Sequence, residues 1–421
     1  MSTWTTSLPP QWQAVRPSVI FQERREASAG DDEHLTPSQH HGVLTQADYM
    51  RRTGTKVVLN LTAPDNMKHV EPDDFIAHLR SFQGGLEKSN LRGKVSTAYT
   101  VIKPRAAAEP NFFRWVLKSP AFIGELAASC EQLRDGQSVK FSDFARILLP
   151  LPPQEEQRRI ADFLDDRVAR IDNIISARRT QLALASTALV RVLMDLLLSG
   201  GLRQLDQAPW FSTDGTVSII KLSSQWRVID CKHRTPSYID SGYPVISPGD
   251  IVRARLDLSR ATRFVGHEDL MDLADEPRRC RPGDLVYSRN ASAGIAAYVD
   301  TTEPFTMGQD VCRITSDSDD QLYLAYCLNF LMTPQLDRVR IGATFTRINV
   351  AQIKSLAIPY RSVHEQQKVA ALCDRAVSEG HAKIGHLERS VALLLEYKES
   401  LITAAVTGEL DVTTAGSGIP R

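Results

Sequence analysis

The side chains best suited to chemistry in this sequence are polar groups gathered around glycine turns. Gln83-Gly84-Gly85 is followed by Lys88, Asn90, Arg92 and Lys94. Lysine and arginine reach phosphates, while Gln, Asn and Arg match the donors and acceptors on base edges. A glycine pair leaves little bulk between backbone and ligand; the competing reading is a plain turn carrying solvated charges. A second polar turn, Asp135-Gly136-Gln137-Ser138-Val139-Lys140, ends on Lys140. In the second half, a strand expected over Leu285 to Tyr287 leads into Ser288-Arg289-Asn290-Ala291-Ser292-Ala293-Gly294 and a further strand, Ile295 to Val299. The loop of that hairpin offers Arg289, Asn290 and Ser292. The counterpart of the Gly136 turn is Gly342-Ala343-Thr344-Phe345-Thr346-Arg347, which adds Thr344, Thr346 and Arg347. Arg253, Arg255, Arg260, Arg263, Arg278 and Arg279 supply basic character that contacts phosphate or simply solubilises. This is the chemistry of recognition, and nucleic acid is the ligand it suits.

Bond-making chemistry is harder to find. The sequence holds no Gly-x-x-x-x-Gly-Lys-Ser/Thr phosphate loop, so ATP hydrolysis is not expected. His34, His40 and His41 have no cysteine or acidic neighbour at ligand spacing, and a solvated loop is expected there rather than a metal. Six cysteines are scattered without metal-type pairing, as in a reduced cytoplasmic protein. The 50 basic and 50 acidic residues cancel, so any phosphate contact must come from a local basic face. No signal-like start and no apolar run of membrane-spanning length are apparent, and no membrane association is expected.

Two long stretches must position these turns. From Pro153 to Gly200 the sequence is free of proline and glycine, and apolar residues recur seven apart at Val168, Ile175, Leu182, Leu189 and Leu196. Ile171, Ala185 and Val192 fill the companion position, with Arg178 interrupting. That is a coiled-coil stripe, which needs a partner helix. The partner follows Pro359, with a seam of Ile384, Leu387, Val391, Leu394, Leu401 and Ala405 ending at Gly408. Pro150 and Pro359, and Glu156-Gln157 and Glu365-Gln366, stand the same 209 residues apart. The spacing marks an internal repeat.

The repeat extends beyond the helices. Gln11-Trp12 and Gln225-Trp226 share one separation with Ser119-Pro120 and Thr333-Pro334, and each Ser/Thr-Pro pair closes an aromatic-rich helical stretch. Short strand-like runs, Lys56 to Leu61 and Val95 to Ile102, lie between these anchors. The expected fold is therefore α+β: two globular domains, 1–149 and 204–358, joined by helical spacers, 150–203 and 359–411, with a disordered tail, 412–421. Antiparallel helices would let short connections deliver each domain to one end of the pair, related by an approximate two-fold axis. Two surfaces on one frame suit two DNA half-sites separated by a spacer of fixed length.

These features resemble the specificity subunits of Type I restriction–modification systems. The resemblance rests on Leu8-Pro9-Pro10-Gln11-Trp12, on Phe82-Gln83-Gly84-Gly85 followed by Gly93 to Tyr99, on Pro150 to Gln157, and on Gly342 to Ile348 leading to Pro359. Together these span nearly the whole chain. Thr97 stands where the family often has proline, and the second copy has Leu222-Ser223-Ser224 and lacks the double proline before Glu365. The resemblance implies two target-recognition domains, each reading one half of an asymmetric bipartite site in double-stranded DNA. It implies that the helices act as a ruler on which two modification subunits dock, bringing S-adenosylmethionine and adenine methylation. A restriction subunit with ATP and Mg is a further partner in such systems. The chain itself is then a reader without catalysis or cofactor. Consistently, the Asn-Pro-Pro-Tyr/Phe tetrad of an amino-methyltransferase, which holds a flipped base, does not occur. The rival readings are a coiled-coil scaffold joining two protein-binding domains, and an enzyme whose active site carries no motif.

Overall fold

The computed structural model describes residues 3–5, 8–55, 67–129, 139–290, 293–340 and 347–412. The expected strand Lys56 to Leu61, the Asp135 to Ser138 part of the second polar turn, Ser292, Thr344, Thr346 and nearly all of the tail lie outside them. The fold mixes helix and strand, dominated by two long helices, Gln154–Leu197 and Val363–Thr407. The chain divides into two compact units. One comprises Met1–Arg179 with Arg389–Arg421, the other Thr180–Glu388. Each long helix therefore begins in one unit and ends in the other.

The first unit is built on an antiparallel sheet in which Phe21–Glu23 and Phe75–Ala77 flank Thr100–Pro104, with Glu87–Lys88 outermost. Its core gathers Phe21, Phe75, Phe112, Phe113, Phe122 and Phe144. Phe21 sets its ring edge-on to Phe75 and to Phe113, an arrangement that brings the positive ring edge to the negative face. The helix Pro110–Val116 covers this sheet, and its aromatic residues are those the sequence pattern marked as helical.

The second unit repeats the plan. Arg227–Asp230 and Leu285–Ser288 flank Val311–Thr315, Ala296–Tyr298 lies outside them, and Ala254–Arg255 adds a fifth, parallel strand. The register agrees residue by residue. Phe75 opposes Ile102 on one side and Lys88 on the other; Leu285 opposes Ile314 and Tyr298. The duplication read from the helix starts thus holds at the level of strand pairing, although the side chains differ almost everywhere.

The repeated Glu-Gln pairs find a physical reason here. Gln157 and Gln366 are both fully buried. The Gln157 carbonyl accepts from the Glu109 amide at 2.8 Å, and its NH2 donates to Pro152 O at 2.9 Å. In the other unit, Gln366 accepts from Asp320 N at 2.9 Å and donates to Arg361 O at 2.9 Å. Each glutamine ties the start of a long helix to the first amide of the domain helix beside it, pairing backbone groups that burial would otherwise leave orphaned.

Within the first unit, Trp12 donates to Glu156 near the start of one long helix and packs on Gly408 past the end of the other. Asp172 pairs with Lys398 at 2.6 Å. In the second unit Arg361 donates to Leu197 O at 3.0 Å, and Leu189 lies where a Cβ on Gly380 would meet it at 2.8 Å. The helices run antiparallel in both units. Their ends are not bare spacers. Ile160, Leu164, Ile402 and Val406 belong to the core of the first unit, and Leu193, Leu197, Val369 and Cys373 to that of the second.

Of the expected seam residues, Ile171, Ile175 and Leu387 are buried, and Leu182, Leu189, Leu196, Ile384, Val391, Leu394 and Leu401 are half-buried. Val192 is a correction: it is 45% exposed, and Leu193 takes the buried place. A straight helix of 3.6 residues per turn drifts against a seven-residue repeat, so the stripe steps by four after Leu189. The first helix begins at Gln154, directly after the expected Pro153, and the second at Val363, four residues past Pro359; Pro150 and Pro359 themselves lie in short strands, Leu149–Leu151 and Ala357–Tyr360, paired with Gln13–Val15 and Ser218–Lys221. Finally, Gln154–Leu197 contains a stretch apolar enough, by length and composition alone, to cross a membrane, although no such run is apparent from the sequence.

Candidate nucleic-acid interface

In the second unit, four loops meet at one end of the five-stranded sheet. They follow Asp230, follow Ser288, precede Val311 and include Arg347-Ile348. The Arg289 amide donates to Asp310 O at 2.8 Å, and the Ile348 amide donates to Arg289 O at 2.8 Å, so the backbone itself draws three of them together. The Asp310 carboxylate then takes Arg347 at 2.7 Å and the Asn290 amide at 3.1 Å. Gln309 donates to Thr235 across the same end at 3.1 Å. Asp310 holds this position with φ +63°, a left-handed conformation that Asp tolerates better than most residues.

Arg289, nominated as a base reader, is corrected. It is 4% exposed, pairs with Asp230 and donates to Ile348 O at 3.2 Å, so its fork is spent holding the loops. Asn290 is half-buried and Arg347 exposed. These two remain in position to meet a ligand.

The equivalent end of the first unit carries the turn from His78 to Leu86. Its glycines have another function than the one expected. A Cβ on Gly84 would meet the Gln39 side chain at 2.5 Å, and one on Gly85 would stand 2.1 Å from Leu117 O. Both face inward against the protein, and Gly85 also has φ +76°. Gln83 and Arg80 point outward and are exposed. Below them His78 is buried; burial, assisted by the Lys118 and Arg80 charges, lowers its pKa to about 4, so the ring is neutral at ordinary pH.

Lys88, Asn90 and Arg92 are not at this end. Because Ile76 opposes Glu87 and Phe75 opposes Lys88, the chain after Lys88 leaves toward the start of Phe75–Ala77, away from the turn. There Lys88 pairs with Asp73 at 2.7 Å and bonds Asn90 at 2.9 Å, while Arg92 lies 3.3 Å from both Asp31 and Asp32. Lys94 is half-buried on a strand paired with Lys68–Val70. The first-unit nominations thus divide between two ends of the sheet, and only Gln83 is at the end matching Asn290. Lys140 is exposed at the start of the helix Phe141–Phe144, where Asn349 caps Val350–Lys354 in the other unit.

Residues 237–381, within the second unit, match the family model for the Type I restriction modification DNA specificity domain. The likeness to that domain covers about a third of the chain. Over the whole length, its fold is similar to that of a chain from work on complex assembly and conformational transition of the type I R-M system. That likeness has a TM-score of 0.75 at 18% identity and covers 96% of this chain and 100% of the other. The HsdS subunit from Thermoanaerobacter tengcongensis is also similar, with a TM-score of 0.58 at 18% identity, covering 97% and 100% of the two chains. At these identities the likeness is one of fold.

The second unit contains one further polar group, just before the matched residues. Asp230, Cys231 and His233 bring ligand atoms within 4.8 Å of one another. Yet Asp230 already takes Arg289 on one oxygen and His233 at 3.1 Å on the other, and burial first of all raises the pKa of the Cys231 thiol. A cation there would compete with a guanidinium already in place, so the set does not fit a metal. Arg80, Thr235, Gln309 and Asp310 were missed in the sequence. Arg80 becomes visible only through the register that makes it the counterpart of Asn290, and Asp310 only through the loops it joins.

Proposed function

We propose that each unit reads one half of a bipartite DNA site through the loop end just described. The carrying observation is that the two units share strand order and register while the side chains at the matching ends differ: Arg80 and Gln83 in one, Asn290, Gln309 and Arg347 in the other. One frame with two different polar tips is what two different half-sites require. Since each long helix runs through both units, the helix pair serves as the ruler that sets the spacer between half-sites.

In the same reading two modification subunits dock on the outer faces of the long helices and supply S-adenosylmethionine and adenine methylation, while this chain contributes no catalytic group. Exposed apolar side chains support docking: Ile174, Leu393 and Tyr397 in the first unit, Leu184, Val192 and Leu372 in the second. Leu184 and Val192 belong to the apolar stretch of the first helix, and exposed apolar groups of this size mark interaction surfaces. A restriction subunit with ATP and Mg joins such an assembly as a further partner. The test is selection from a randomised duplex pool by the chain assembled with its modification subunit. Recovery of two short motifs at fixed separation, with affinity falling steeply as salt rises, supports the proposal. An assembled complex that enriches no sequence favours a protein-joining scaffold.

A further inference from the structure

Resting on that reading, we propose that Asp310 is a positioning residue that presents Arg347 as a fixed fork to a guanine in the half-site read by the second unit. Asp310 sits where three loops meet and touches a side chain from each of the other two. Its carboxylate holds Arg347 at 2.7 Å and Asn290 at 3.1 Å, and its carbonyl accepts the Arg289 amide at 2.8 Å. The backbone at Asp310 is left-handed at this junction, a conformation Asp adopts at little cost.

Arginine is the residue whose planar donors match O6 and N7 of guanine, and the ion pair with Asp310 restrains where the Arg347 guanidinium lies by charge attraction. A flexible Arg347 would instead reach phosphate as readily as a base. Arg289, buried behind this junction, stiffens it by pairing with Asp230 and with Asp310 at 3.9 Å. The rigid shell therefore extends two layers back from the exposed guanidinium, as a reading site needs.

The test compares the parent complex with Asp310→Asn and Arg347→Lys by selection from a randomised duplex pool. Asn tolerates the left-handed backbone, and Arg347 is exposed, so both variants are expected to fold. The expected result is loss of guanine preference at one position of one half-site by about tenfold or more in both variants, with the other half-site unchanged. A merely structural Asp310 would weaken binding to all sequences alike, and that outcome overturns the inference. So does an affinity loss in Arg347→Lys that is uniform across sequences. If the parent itself enriches no sequence, the DNA-reading proposal fails and takes the inference with it; if the parent enriches a bipartite motif that both variants keep, only the inference fails.

Discussion

Replacing Gln366 by alanine isolates what the Glu-Gln signature does. The substitution removes three hydrogen bonds: from Asp320 N at 2.9 Å, to Arg361 O at 2.9 Å and to Asp319 Oδ1 at 2.9 Å. Gln366 is fully buried, so water does not replace them. Three lost bonds at about 1 kcal/mol each, with orphaned backbone groups adding to the penalty, give roughly 3–5 kcal/mol. The cost falls on the joint between the second long helix and Gln321–Leu331, in the second unit alone. Hydrogen exchange read by mass spectrometry separates the units: a loss of about 3 kcal/mol accelerates the slowest amides of 321–331 by roughly a hundredfold. The amides of Pro110–Val116 in the first unit should keep their rates, and Gln157→Ala should give the mirror result. Acceleration below about fivefold, or equal acceleration in both units, would refute the clamp.

Three further predictions follow from the first unit. His69 lies between Asp32 at 2.6 Å and Glu71 at 2.7 Å; burial lowers its pKa, but the hydrogen bonds to the two carboxylates outweigh this and the pKa is raised from 6.5. The folded state therefore holds this proton more tightly than the unfolded one, and the stabilisation is full below pH 6.5 and lost as pH rises through the raised value. Thermal unfolding across that window should show the first unit weakening with rising pH, and His69→Gln should flatten the slope; an unchanged slope contradicts the assignment. Gly85→Ala places a side chain at φ +76° and against Leu117 O, and should destabilise the first unit by more than about 3 kcal/mol in denaturant unfolding. Leu393→Ser with Tyr397→Ser should weaken assembly with the modification subunit, seen by size-exclusion chromatography, while the hydrogen exchange of both units stays unchanged.

The repeat was legible because it is written in residues with strict local demands. Proline and the buried glutamine mark the same joint twice, and the helical stripe is a periodicity of one face. The pairing of Phe75 with Ile102 and Lys88, matched by Leu285 with Ile314 and Tyr298, is long-range and leaves no mark in residue types. That is why Arg80 escaped notice and why Lys88, Asn90 and Arg92, close to Gln83 in the chain, were grouped with it although two strand residues carry them to the other end. Arg289 looked like a reader because its loop and chemistry suit one; only the Asp230 carboxylate, 59 residues away in the chain, reveals that its charge is already spent. The glycine pair was legible as a tight turn, but what it lets approach is Gln39 and Leu117 rather than a ligand.

The central claim, that two units on one helix pair read two halves of a DNA site, is tested most directly by mapping adenine methylation across the genome of a host that expresses this chain with its modification subunit. The same host with the modification subunit alone is the reference. The account predicts methylation at one motif of two short, unlike halves with a constant spacer, present only with this chain. An assembled complex that methylates a single uninterrupted motif, or the same motif with and without this chain, would contradict it.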